Sequence, residues 1–121
     1  MAHEAVQAVV NGAGGRSLAP GEWGLSLPDV GGWPLDIGLR LRRGVLRAQA
    51  FVAPAGVVDE HELLVRNRGL VMVRFGHTGS GDVWLVGEAF EEDVDERAVD
   101  RLLGLLVQAA ADVRRLAADP A

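Results

Sequence analysis

Two periods of hydrophobic spacing divide this chain. From Leu35 the period is two: Leu35, Ile37, Leu39 and Leu41 alternate with Asp36, Gly38, Arg40 and Arg42. That is the signature of a strand with one buried face. Arg43-Gly44 reads as a turn, after which Leu46, Ala48, Ala50 and Val52 alternate with Arg47, Gln49 and Phe51. The two runs predict an antiparallel hairpin with Arg40, Arg42 and Arg47 on its outer face. A second hairpin is predicted from Val71, Val73 and Phe75 against Val83, Leu85 and Gly87. The alternate positions there, among them Met72, Arg74, Trp84 and Val86, are largely apolar too, so the pattern leaves the register open. Beyond Asp93 the period becomes helical: Val99, Leu102, Leu103, Leu106, Ala110 and Val113 form a stripe that must be buried. Ala98, Leu105, Ala109 and Leu116 widen it beyond what one sheet needs. Leu102, Leu105, Leu106 and Ala109 are therefore assigned to the core or to a dimer contact.

Weaker signals fill the rest. Residues 3–12 predict a short helix, with Ala5, Val6, Val9 and Val10 on one side and Gly12–Gly15 as its stop. Residues 16–34 are turn-rich, with a short edge strand around Glu22–Leu27 and with Trp23 and Trp33 as a lid on one end of the core. After Pro54-Ala55-Gly56 a helix of about ten residues starts from an N-cap at Asp59, turns Leu63 and Leu64 inward and stops at Gly69. Asp93 is expected to cap the last helix, with Glu96 three residues on. Arg114 and Arg115 are expected to complement its carboxyl end, and Ala117–Ala121 to fray. The sum is one α+β domain spanning residues 1–121 with its core in 35–116. Its order is α-β-β-β-α-β-β-α, with an antiparallel sheet packed on helices.

Composition narrows the class. At 121 residues, 49% hydrophobic and 24% charged, the chain has globular rather than disordered composition. It has no cysteine, which excludes disulfides and thiolate metal sites. No apolar run reaches the length of a membrane span, and Glu4 sits where a signal peptide wants positive charge, so a cytoplasmic protein is expected. The net charge is −5. Five arginines meet four acidic residues in residues 1–58, and seven meet thirteen in residues 59–121. An acidic chain repels nucleic acid at long range, so direct nucleic-acid binding is not expected. All the basic residues are arginine, suited to bidentate contacts with carboxylate or phosphate.

Candidate chemistry is sparse. The segment Gly76-His77-Thr78-Gly79-Ser80-Gly81-Asp82 has glycines like a phosphate loop, but strands flank it on both sides and no lysine follows, so it reads as a hairpin turn. Ser80, His77 and Asp82 are too crowded for a nucleophilic triad. Asp59-Glu60-His61-Glu62 lacks metal-ligand spacing and reads as a solvated helix start. The acids Glu88, Glu91, Glu92, Asp93, Asp95 and Glu96 lack the spacing of a calcium loop. No catalytic residue, cofactor or metal is assigned. One constellation remains: Arg40, Arg42, Arg47 and Arg74 with Phe51 and Trp84, a strip that can clasp a protein segment or stack single-stranded bases.

The stretch GDVWLVGEAF, followed by VDERAVDRLLGLLVQAAADVRRL and set in this order of elements, resembles the YbjN family of bacterial proteins, whose fold is that of type III secretion chaperones. The resemblance is carried by Gly81, Trp84, Gly87 and the Asp100–Leu103 stretch, and it is strongest over Leu35–Leu116. It implies a small, often dimeric cytosolic domain that binds other proteins and has no catalytic signature. The function expected is a non-enzymatic protein-binding module, chaperone-like or a regulatory adaptor, working as a homodimer on a client. The alternative is an accessory to a nucleic-acid process that uses the arginine and aromatic face.

Overall fold

The structure, a computed structural model, describes residues 1–118. Helix α1 (Ala2–Gly12) leads into four strands, β1 (Arg16–Ala19), β2 (Glu22–Val30), β3 (Trp33–Arg42) and β4 (Val45–Ala53). Helix α2 (Glu60–Asn67) precedes β5 (Val73–His77) and β6 (Val83–Phe90). A 3-10 turn (Glu91–Asp93) then leads into helix α3 (Glu96–Ala118). The strands form one antiparallel sheet in the order β1-β2-β3-β4-β6-β5. This is the α+β architecture expected, with one strand more at its start.

Turn chemistry sets the meander. Arg43 and Gly44 both have positive φ, 54° and 77°, the requirement of a two-residue turn whose twist matches the strands it joins. The chain then leaves β4 for α2 and returns by β5, so that β6 docks between β4 and β5.

One face of the sheet is covered. Leu35, Ile37, Leu39, Leu46, Ala48, Ala50 and Leu85 point into a core completed by Val6 and Val10 of α1 and Val99, Leu102, Leu106 and Val113 of α3. Each fully buried aliphatic side chain contributes about 1.5–3 kcal/mol. Small residues bring α3 close to the strands: a Cβ on Gly87 would lie 2.7 Å from Leu102 Cδ1 and 2.8 Å from Val73 Cγ1. Leu102, Leu106 and Ala109 are buried and Leu105 is half-buried. Because α1 packs beside α3, part of the width of the helix stripe is covered within the chain itself.

Several local expectations need correction. The segment Glu22–Leu27 belongs to a longer strand, β2, which lies inside the sheet; β1 holds the edge. A register shift between Leu27 and Val30 accommodates Pro28, which has no N–H to give the ladder. Trp23 is a core residue, 1% exposed, but Trp33 is 39% exposed. Leu63 is buried as expected, whereas Leu64 is 67% exposed. Asp59 does cap α2, accepting from the His61 N–H at 3.1 Å. The cap of α3 is Asp95, not Asp93: its Oδ1 accepts from the Ala98 N–H at 2.7 Å, while Asp93 closes the preceding 3-10 turn. Strand β5 begins at Val73, because Met72 (φ 66°) bends the chain and the Val73 N–H donates to Val71 O at 2.8 Å. Of the carboxyl-terminal residues expected to fray, Ala117 and Ala118 close α3, and 119–121 lie outside the described residues.

Candidate functional site

The register resolves the second hairpin. Val73, Phe75, Val83 and Leu85 face the core, which turns Arg74, Trp84, Val86 and Glu88 to the outer face. Arg40 stands opposite Arg47, Arg47 opposite Glu88, and Phe51 opposite Trp84. Arg40, Arg42, Arg47, Phe51, Arg74 and Trp84 therefore share the face that neither α1 nor α3 covers. They do not form one continuous cationic strip. Glu88 accepts from Arg47 Nη2 at 2.8 Å and from Arg74 Nη2 at 3.0 Å. The hydrogen bonds from Arg47 and then Arg74 hold its carboxyl below the ordinary value of 4.5. Arg42 reaches Glu22 only at 3.7 Å, and among the described residues Arg40 and Arg43 make no ion pair. Glu88 had no visible role in the sequence; its part depends on β6 lying beside β4, a long-range pairing no local pattern announces.

Beside these charges runs an aromatic row. The Phe51 ring lies 5.8 Å from Trp84, near edge-on, and 6.0 Å from Trp33. Trp33 joins the row because Arg114 stacks on it, its guanidinium carbon 3.4 Å from the ring centroid. Arg114 does not serve the exposed helix end. It is 2% exposed. Its Nε donates to Val52 O at 2.9 Å and its Nη2 to Phe51 O at 3.1 Å. Its Nη1 is shared among Val30 O, Trp33 O and Pro34 O at 3.0, 3.0 and 3.2 Å. The acceptors sit beside two ladder irregularities, between Leu27 and Val30 and between Phe51 and Ala53. Burial pushes the guanidinium pKa down from its ordinary value, yet arginine stays protonated in proteins. Gly31 makes room for it: a Cβ there would lie 2.6 Å from Arg114 Cβ. The staple fixes the β2–β3 turn, and with it the aromatic row, to α3.

At the other end of the sheet, α2 lies along the edge strand β5. The Asn67 side chain acts as a short extra strand, donating from Nδ2 to Phe75 O at 3.0 Å and accepting the Phe75 N–H at 2.7 Å. Leu64 and Val65 on α2, and Val71 and Met72 in the segment leading to β5, remain exposed. On the helical side, an open groove of about 870 Å³ separates α1 from α3 over Leu25, Leu27 and Ile37, with Glu96, Arg97 and Asp100 on its rim. The glycine-rich turn is closed on itself: the Thr78 N–H donates to Asp82 O and the Gly81 N–H to Thr78 O. The Asp82 carboxylate accepts from the Ala55 N–H at 3.1 Å and Ser80 pairs with Thr78, so His77, Ser80 and Asp82 do not bond to one another.

Comparison with known proteins gives one kind of match. No protein-family model and no curated protein sequence matches the chain. Among solved structures, the Yersinia pestis type III secretion chaperone SycH, in complex with a fragment of YscM2, superposes with a TM-score of 0.71 at 11% identity, covering 93% of this chain and 99% of that one. The ExsC–ExsE complex gives 0.69 at 21% identity, over 96% and 95%. The Pseudomonas aeruginosa ExoU–SpcU heterodimer gives 0.66 at 15% identity, over 91% and 95%. This chain has the fold of the type III secretion chaperones.

Proposed function

We propose that this protein is a non-enzymatic binding module, chaperone-like or a regulatory adaptor of the YbjN type, that acts in the cytoplasm as a homodimer and holds a segment of a client protein. The observation that carries the reading is the uncovered sheet face. The helices cover only the inner side, and the outer side presents Phe51 and Trp84 on the same face as the arginines, with Trp33 against Phe51 at the end of the sheet; these are residue types that anchor protein contacts. The fold supports it, since solved neighbours include chaperones in complex with protein partners. The groove between α1 and α3 offers a second place for an amphipathic client helix. The nucleic-acid alternative is weaker than the sequence suggested, because Glu88 engages two of its four arginines.

The homodimer is assigned to the exposed apolar residues of α2 and the segment after it. Met72 there holds a left-handed backbone in a tight three-residue turn, a strained form that costs about 1–3 kcal/mol and persists where the surroundings require it. The client reading is tested by pull-down from nuclease-treated lysate, comparing wild type with the double variant Trp84→Ala/Arg74→Glu. Stoichiometric capture of a protein by wild type and its loss in the folded variant are expected. Equal capture by both refutes the outer face as the site.

A further inference from the structure

We infer that the arginine end of the outer face is built for an extended acidic segment of the client, one with carboxylates at every second position; this rests on the reading of that face as the client surface. Arg40, Arg42, Arg43 and Arg47 line an open depression of about 400 Å³ with Val45 and Glu88. With Arg74 there are five arginines at this end of the sheet, and Glu22 and Glu88 pair with Arg42, Arg47 and Arg74. Although the Glu91 N–H donates to Gly44 O and brings the acidic 3-10 turn to the same end, Arg40 and Arg43 make no ion pair among the described residues. The arrangement is unfavourable for the isolated fold in two ways. Arg40 and Arg47 are directly opposed across the β3–β4 ladder, and like charges in that position repel. Arg43 sits at φ 54°, in the turn position that asparagine or glycine fills without strain. An anionic partner relieves the repulsion, and the strained turn lifts Arg43 to the rim beside Arg40.

Spacing selects the kind of anion. Arg40 and Arg42 are two residues apart on one strand, roughly 6.8 Å, which is also the repeat of alternate side chains in an extended peptide. Strands β3 and β4 are interior, so the segment cannot add to the sheet by backbone pairing and must be held by side chains across its face. Arg40 and Arg42, the latter only loosely paired with Glu22 at 3.7 Å, supply carboxylate contacts at that spacing, and Arg43 adds a third at the turn. Val45 supplies an apolar floor, and the aromatic row continues beyond Gln49 for apolar side chains further along the same face of the segment.

The test is fluorescence anisotropy at moderate salt with three labelled probes: the capped peptides (Glu-Leu)5 and (Gln-Leu)5, and a dT12 oligonucleotide. Each is titrated with wild-type protein, with R40Q/R43Q and with Trp84→Ala. Because Arg40 and Arg43 make no ion pair within the fold, R40Q/R43Q is expected to unfold at the wild-type denaturant midpoint or slightly above it. The inference predicts that wild type prefers (Glu-Leu)5 over both other probes and that R40Q/R43Q weakens this binding about tenfold or more. Equal affinity for (Gln-Leu)5, lost in Trp84→Ala, overturns the acidic specificity and leaves the outer face standing as a binding surface. Tighter binding of dT12 overturns it in favour of nucleic acid. No binding of either peptide overturns it, and the pull-down then decides the wider reading on its own.

Discussion

At the scale of the residue, Arg114 shows how a position changes meaning between sequence and structure. Near the end of an amphipathic helix an arginine reads as a solvated partner of the dipole, but here it is the one buried charged residue among the described ones. Five carbonyls surround it in place of a carboxylate. Removing it leaves those carbonyls unpaired, at about 1–3 kcal/mol for a buried group left unsatisfied, so Arg114→Ala is expected to cost about 3 kcal/mol or more, read as a lowered urea midpoint. Arg114→Lys should recover little, because an ammonium cannot reach both irregularities of the sheet and cannot stack flat on Trp33. Glu88 gives a second prediction with a definite sign. Its carboxyl pKa is lowered in the folded state, so its contribution is present above the ordinary value of 4.5 and is lost as pH falls through the depressed value. The stability difference between wild type and Glu88→Gln, about 1 kcal/mol for such half-exposed pairs near neutrality, should close on acidification below that point. A difference that persists at low pH would show that packing, not charge, accounts for it.

At the scale of the element, two close approaches organise the sheet. Gly87 admits α3 against β6, and a side chain there must displace Leu102 or Val73. Gly87→Val is expected to destabilise by about 1–3 kcal/mol through overpacking, measurable by thermal unfolding. At the edge, Asn67 occupies the backbone groups of Phe75 that would otherwise invite another strand. Asn67→Ala should cost about 1 kcal/mol and, more tellingly, speed the growth of thioflavin-binding aggregates. If aggregation is unchanged, α2 itself and not the carboxamide protects the edge. The hairpins were legible because alternation in Leu35–Val52 has one parity and its turn contains glycine. Strand β1 was not legible: Arg16–Ala19 is four residues long, shows no alternation and exists by pairing with β2.

At the scale of the molecule, the fold separates a helical face from an open one, and the exposed apolar residues lie at its margin on α2. If these form the dimer contact, Leu64→Asp with Val71→Asp should shift sedimentation from dimer to monomer without loss of helix content. A wild-type protein that sediments as a monomer at all concentrations would remove the dimer from the proposal. The sequence by itself determined the class of fold, the hairpins, the core stripe of α3 and the outer position of Arg40, Arg42 and Arg47. Periodicity and turn residues are local, and they act before any distant segment arrives. Tertiary structure alone decided that β6 lies beside β4, that Glu88 therefore joins Arg47 to Arg74, that α1 shares the surface of α3, and that Arg114 turns inward to the carbonyls of two strands. Each of these depends on contacts between residues tens of positions apart, whose pairing energy is set by the packed sheet and leaves no periodic trace along the chain.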